Sequence, residues 1–230
     1  MSGSRTVGRL LGAAFLFVFV ASIVSSLLLD SVTGSGSVLE MLASIADNLG
    51  TMQISILIGL FTSVGIVVLA SLLYAVLYKQ QKIVALVALG WWLAEAVLLA
   101  ISKIGALGLV SLSQDFVAAG APEASFHQML GRFLYSGLLK QGDDIHMLFY
   151  CLGGILWFYL FLRSRCIPRV LSILGIVIES VGLVGMILLL LSVQVDMLVF
   201  YPIAALELIV GVWLLIRGAP APAKIYQIDG

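Results

Sequence analysis

Apolar residues fall in six long blocks along this chain, at residues 10–29, 52–78, 83–110, 145–162, 170–193 and 197–216, with polar breaks between them. About twenty consecutive apolar residues carry a helix across the hydrocarbon core of a bilayer, so each block predicts a transmembrane span. Two other segments are amphipathic. In the first, Val38, Met41, Leu42, Ile45 and Leu49 recur at helical spacing. In the second, Phe126, Met129, Leu130, Phe133, Leu134 and Leu138 mark one side, with His127, Gln128, Arg132 and Gln141 on the others. Both patterns predict short helices lying at a membrane surface. The expected fold is all-α: a polytopic bundle of six transmembrane helices over residues 1–218 with two short extracytoplasmic amphipathic helices. A flexible cytoplasmic tail is expected over residues 219–230, where Pro220 and Pro222 stand.

Composition agrees with the pattern and removes one class of partner. Hydrophobic residues make up 62% of the chain and charged residues 10%, against about 25% charged in an average soluble domain. Twelve basic and twelve acidic residues balance to a formal net charge of zero, which leaves no field to attract nucleic acid. The lipid bilayer is the expected surrounding, and a homo-oligomer is left open. Cys151 and Cys166 fall on one expected helix roughly 22 Å apart along its axis, too far to bridge; both read as packing residues.

The basic residues set an orientation. Arg5, Arg9, Lys79, Lys82, Arg163, Arg165, Arg169, Arg217 and Lys224 belong to connections on one side, and only Arg132 and Lys140 to the other. Lys and Arg accumulate in cytoplasmic connections, so both termini are expected in the cytoplasm and both amphipathic segments outside.

Charges within the blocks carry the candidate chemistry. Glu95 stands thirteen residues beyond Lys82, roughly 20 Å along a helix. Glu179 and Glu207 each stand ten residues from a cytoplasmic arginine, Arg169 and Arg217, or roughly 15 Å. A charged side chain at mid-membrane costs about 2.5–3.5 kcal/mol on insertion scales, so three carboxyl groups at one depth are expected to share a protein interior. Protons, a bound cation, or hydrogen bonds from Trp91, Trp92, Tyr201 or the backbone would each stabilise them. Pro202 cannot donate to the Leu198 carbonyl, which predicts a kink and a freed carbonyl in the sixth span.

A second polar group gathers near the outer surface: Lys103, Asp143, Asp144, His146 and Asp196. Asp143, Asp144 and His146 are a candidate metal set, and a metal cation is the one cofactor the residues suggest. The plainer reading has Asp143 or Asp144 capping the fourth span while Lys103 reaches toward them. No GxSxG, HExxH, P-loop or dinucleotide fingerprint occurs, and no catalytic residue is assigned.

Four stretches carry a family resemblance: Trp92-Leu93-Ala94-Glu95-Ala96-Val97-Leu98; the Ser113-Gln114 to Gly120-Ala121-Pro122 loop; Pro168-Arg169-Val170-Leu171-Ser172 with Gly175; and Leu206-Glu207 with Val212-Trp213-Leu214 and Gly218. Through them the chain resembles a bacterial family of six-helix integral membrane proteins catalogued as a domain of unknown function (family 4386). The resemblance implies the six-span fold and a multi-pass place in the plasma (inner) membrane; it implies no activity. It also implies arginine at the position of Trp92, the natural partner of Glu95, so tryptophan here removes that counter-ion.

The expected function is an interior polar pocket that binds or passes a small ligand, proton or cation through Glu95, Glu179 and Glu207, without enzymatic activity. Its rivals are a metal-assisted intramembrane hydrolase acting on lipid near the outer surface, and a structural or accessory membrane subunit. The orientation has a direct check. In a chain whose two cysteines are replaced by serine, Gly36→Cys and Gln141→Cys are expected to react with an impermeant maleimide in intact cells. Gln80→Cys and Ser164→Cys should react only after permeabilisation, and the opposite pattern would reverse the topology.

Overall fold

Hydrocarbon offers the backbone no hydrogen-bonding partner, so a spanning segment closes its bonds within itself as a helix. The computed structural model describes residues 2–34, 36–120 and 125–218. There the chain is helical, with no strand: α1 (Ser2–Thr33), α2 (Val38–Asp47), α3 (Leu49–Leu77), α4 (Lys82–Ala118), α5 (Ser125–Arg132), a π-helical segment (Phe133–Lys140), α6 (Gln141–Ser164), α7 (Arg169–Leu190), a 3-10 turn (Met197–Val199) and α8 (Tyr201–Arg217). Six helical stretches are long and apolar enough to span, and the protein is a multi-pass membrane protein. The expected tail, 219–230, lies outside the described residues.

Helices that follow one another in the chain pack side by side. α1 packs on α3, α3 on α4, α4 on α6 and α6 on α7, while α8 returns to α1. The result is a ring closed only loosely between α7 and α8. No Cα of α1 comes within 8 Å of α7 or of the 3-10 turn among the described residues. Close approach of α8 to α1 depends on Gly12. A Cβ there would lie 2.7 Å from the Gly211 carbonyl oxygen and collide with the Leu215 backbone, so the pair packs backbone to backbone through small residues. Gly8, one turn before Gly12, is also buried, whereas Ser22 and Ser26 are exposed on the same helix.

Three sequence expectations change. The fourth span does not begin at residue 145: α5, the π segment and α6 form one spanning stretch, Phe126–Ser164. No proline interrupts it, and its widened π turns press against α4 at Gly105, where a Cβ would sit 2.7 Å from the Leu134 carbonyl oxygen. Asp143 and Asp144 therefore lie within a continuous helix and cap nothing. Secondly, α2 turns its apolar face to the bundle and not to lipid alone: Met41, Leu42 and Ile45 are buried in a cluster with Leu109, Leu112 and Leu139. Its start is held by a capping box in which the Ser37 hydroxyl accepts from the Glu40 N–H at 3.2 Å and the Glu40 carboxylate accepts from the Ser37 N–H at 2.7 Å. Thirdly, Pro202 does not kink the last helix. It sits in the first turn of α8, where a missing N–H costs nothing, and the chain before it is a 3-10 turn begun by the Asp196 carboxylate accepting from the Leu198 N–H at 2.9 Å.

Overpacking at the α1–α8 contact gives a clean test. Gly12→Leu should lower the stability of the purified protein by about 2 kcal/mol, read as a drop in its thermal unfolding midpoint. Gly90→Leu, whose Cβ would meet nothing within 4 Å, should leave the midpoint unchanged.

Candidate functional site

The ring has its aromatic hub at Trp92. Its indole stacks on Tyr150 with ring centroids 5.7 Å apart, takes Phe15 and Trp157 edge-on at 6.4 and 6.0 Å, and donates from Nε1 to the Tyr150 carbonyl oxygen at 3.1 Å. Each such ring pair contributes about 0.5–1.5 kcal/mol beyond its buried area, and together they tie α4 to α1 and α6. The indole proton is thereby committed to backbone and is not available to Glu95.

The three acids stand on three different helices of the ring. Glu95 on α4 is 3% exposed, Glu179 on α7 is 0% exposed, and Glu207 on α8 is half-buried. Glu95 lies within electrostatic reach of both other acids, as do Glu179 and Glu207 of each other. Tyr150 lies within reach of all three. Room for the Glu179 carboxyl comes from Gly154 on α6, whose absent Cβ would stand 2.8 Å from its Cδ. Glu95 Oε2 and both Glu179 oxygens are buried with no hydrogen-bond partner in the present rotamers, although the Tyr150 hydroxyl and Cys151 thiol are near enough to turn toward Glu179. Among the described residues no ion pair joins any of the three.

The other expected partners fall elsewhere. Trp91 is half-buried and packs on Phe149, with centroids 5.4 Å apart. Tyr201 is 63% exposed at the start of α8, six residues from Glu207 and away from the acids. Tyr150, absent from the sequence expectations, takes its place. Its signal was legible: it is a polar-tipped side chain one turn beyond His146, and positions four apart share a helix face.

The outer polar group lines a cavity of about 410 Å³, within the range of about 300–1,000 Å³ usual for small-molecule sites. Lys103, Asp143, Asp144 and His146 supply its polar wall; Leu99, Met147, Met186, Met197 and Phe200 supply apolar surface. Lys103 is 6% exposed. It crosses over Gly59 of α3 to pair with Asp143 at 3.2 Å, and Ser102 donates to the same carboxylate oxygen at 2.7 Å. Burying a lysine is costly unless it is paired and hydrogen-bonded, and this arrangement meets that condition. Leu99 stands one turn from Glu95, His146 one turn from Tyr150 and Met186 two turns from Glu179, so the acids lie just beneath the cavity floor.

Asp143, Asp144 and His146 do not form the expected metal centre. Among the described residues no group of three or more His, Cys, Asp and Glu side chains converges, because Asp143 is turned to Lys103 and Ser102. Both cysteines are buried free thiols, and burial pushes the thiol of Cys166, in the α6–α7 turn, up from its ordinary value.

The Lys103–Asp143 pair has a measurable consequence. Lys103→Met leaves the Asp143 carboxylate partly buried and without its cation, and should cost about 2 kcal/mol of stability. Lys103→Met combined with Asp143→Asn should recover most of that loss in the thermal unfolding midpoint, since the penalty lies in the orphaned charge.

Searches of curated proteins and of solved structures return no match to this chain. A family model does match, described as "Domain of unknown function (DUF4386)", over residues 10–218. That stretch contains all four resemblance motifs and every residue of the acid cluster and the cavity, and the chain belongs to this family.

Proposed function

We propose that the protein is a non-enzymatic bundle of the bacterial inner membrane that binds or passes a proton or small cation at Glu95, Glu179 and Glu207. The carrying observation is the three buried carboxyl oxygens, one on Glu95 and two on Glu179, that have no hydrogen-bond partner. A carboxylate left bare in a low-dielectric interior is costly. A proton on each acid, or a cation shared between them, removes that cost. The Tyr150 hydroxyl adds a fourth oxygen, and hard cations are held by several oxygens.

Access comes from the outer side in this reading. The cavity reaches His146; the next turn of α6 presents Tyr150, and Tyr150 borders the acids. The excess of lysine and arginine at one end of the bundle supports a cytoplasmic location for both termini, and in this reading the cavity faces outward. The apolar Trp92 hub and Leu214, Leu73 and Leu77 pack the half on the other side of the acids, which supports entry from the cavity side.

Carbodiimide labelling tests the proposal, because a carbodiimide adds to a protonated carboxyl in an apolar setting. The purified protein treated with dicyclohexylcarbodiimide should carry the adduct on Glu95, Glu179 or Glu207 by peptide mass spectrometry. Suppression of the adduct by sodium, potassium or calcium would identify a cation site, and insensitivity to all three a proton site. No adduct on any of the three, together with no cation-dependent shift in thermal unfolding relative to the Glu95→Gln, Glu179→Gln, Glu207→Gln triple variant, would overturn the reading.

A further inference from the structure

The end of the bundle where basic residues gather carries no acidic side chain among the described residues. The nearest acids, Glu95, Glu179 and Glu207, stand ten or more residues inside their helices. The cations at this end are also sorted by type. The α3–α4 turn holds Lys79 and Lys82, whereas the stretch of ring from α6 through α7 and α8 to α1 holds only arginines among the described residues: Arg163, Arg165, Arg169, Arg217 and Arg9.

Helix register brings these arginines to one level. Gly182 of α7 faces Ile203 of α8, since a Cβ on the glycine would lie 2.7 Å from the Ile203 Cδ1. Arg169 precedes the first by thirteen residues and Arg217 follows the second by fourteen, so each stands roughly 20 Å from that contact. On α1, Gly12 meets the Leu215 backbone, with Arg9 three residues before the glycine and Arg217 two after the leucine. Arg163 and Arg165 belong to the turn that leads into Arg169.

All five are exposed, and none makes an ion pair among the described residues. Two rest on aromatic rings. Arg163 lies over Tyr159 at 6.0 Å from the ring centroid and donates from Nη1 to its hydroxyl at 3.1 Å, and Arg217 lies over Trp213 at 5.5 Å. A guanidinium has five N–H donors, so both keep donors to offer. Immediately inward of Arg169, Arg217 and Arg9 stand Val170 (66% exposed), Ile216 (66%) and Leu10 (54%).

Charge and apolar surface together select the occupant. The bias of basic residues toward one side of a membrane counts lysine and arginine alike and does not explain their sorting. Arginine's planar fork meets a phosphate through two N–H bonds, which the point charge of lysine does not. A soluble phosphate would leave the apolar neighbours uncovered, and a zwitterionic lipid would bring its own cation to a surface with no carboxylate to receive it. We propose that this edge of the bundle binds an anionic phospholipid, with its phosphate on the arginines and its acyl chains against the apolar residues just inward. The site is remote from the acid cluster, and the inference stands whether or not those acids bind a proton.

Native mass spectrometry of the delipidated protein in a neutral detergent provides the test. Phosphatidylglycerol should bind about tenfold or more tightly than phosphatidylcholine with the same chains. Arg169→Gln combined with Arg217→Gln should remove most of that preference and leave the weaker phosphatidylcholine binding as it is, since both side chains are exposed. Lys79→Gln combined with Lys82→Gln, which removes the same charge from the other part of the ring, should keep the preference. Glycerol phosphate, which has the phosphate and no chains, should not displace phosphatidylglycerol at equal concentration. Equal affinity for the two lipids, a preference that survives in the arginine variant or falls as far in the lysine variant, or displacement by glycerol phosphate would overturn the proposal.

Discussion

An ionisable side chain inside hydrocarbon must be enclosed by protein, and this requirement organises the bundle. Glu95, Glu179 and Lys103 are all buried, and each is reached by groups from more than one neighbouring helix. Lys103 on α4 passes over α3 to a carboxylate on α6. Glu179 on α7 sits against a glycine of α6. The polar residues are therefore cross-links between helices as much as candidate chemistry. Lipid tails are as apolar as leucine, so packing and polar contacts, not water exclusion, drive helices together here.

Two polar zones result, and they differ in how well they are satisfied. At the outer zone the lysine, an aspartate and a serine form a closed set of contacts. At the deeper zone Glu95 and Glu179 are buried, with one oxygen of the first and both of the second unpaired. Partly satisfied polar groups are destabilising unless something else completes them, and for that reason the functional reading rests on the deeper zone.

Much of this was legible in the chain, because a membrane makes strict demands on sequence. Six apolar blocks must be six helices, and three acids at one depth must look inward. The Ser37–Glu40 spacing announces a helix start, although the amphipathic pattern behind it reads equally well as a surface helix. Other features were not legible. Phe126 to Leu138 reads as an interfacial helix because polarity is all the sequence shows. Its fusion with the fourth span depends on Gly105, about thirty residues away, which lets the π segment press against α4. Pro202 shows the same limit, since a proline in an apolar block reads as a kink unless the start of the helix is known.

By itself the sequence determined the helical class, the number of spans, the burial of the acids and the side on which basic residues gather. Each follows from transfer energies and helix geometry acting along one segment at a time. Only the tertiary structure decided which segments touch. It replaced Tyr201 by Tyr150 beside the acids and turned Asp143 to Lys103 instead of a metal. Those outcomes depend on side chains meeting across helices, where a missing Cβ at Gly12, Gly105 or Gly154 sets the distance, and no pattern within a single helix encodes that meeting.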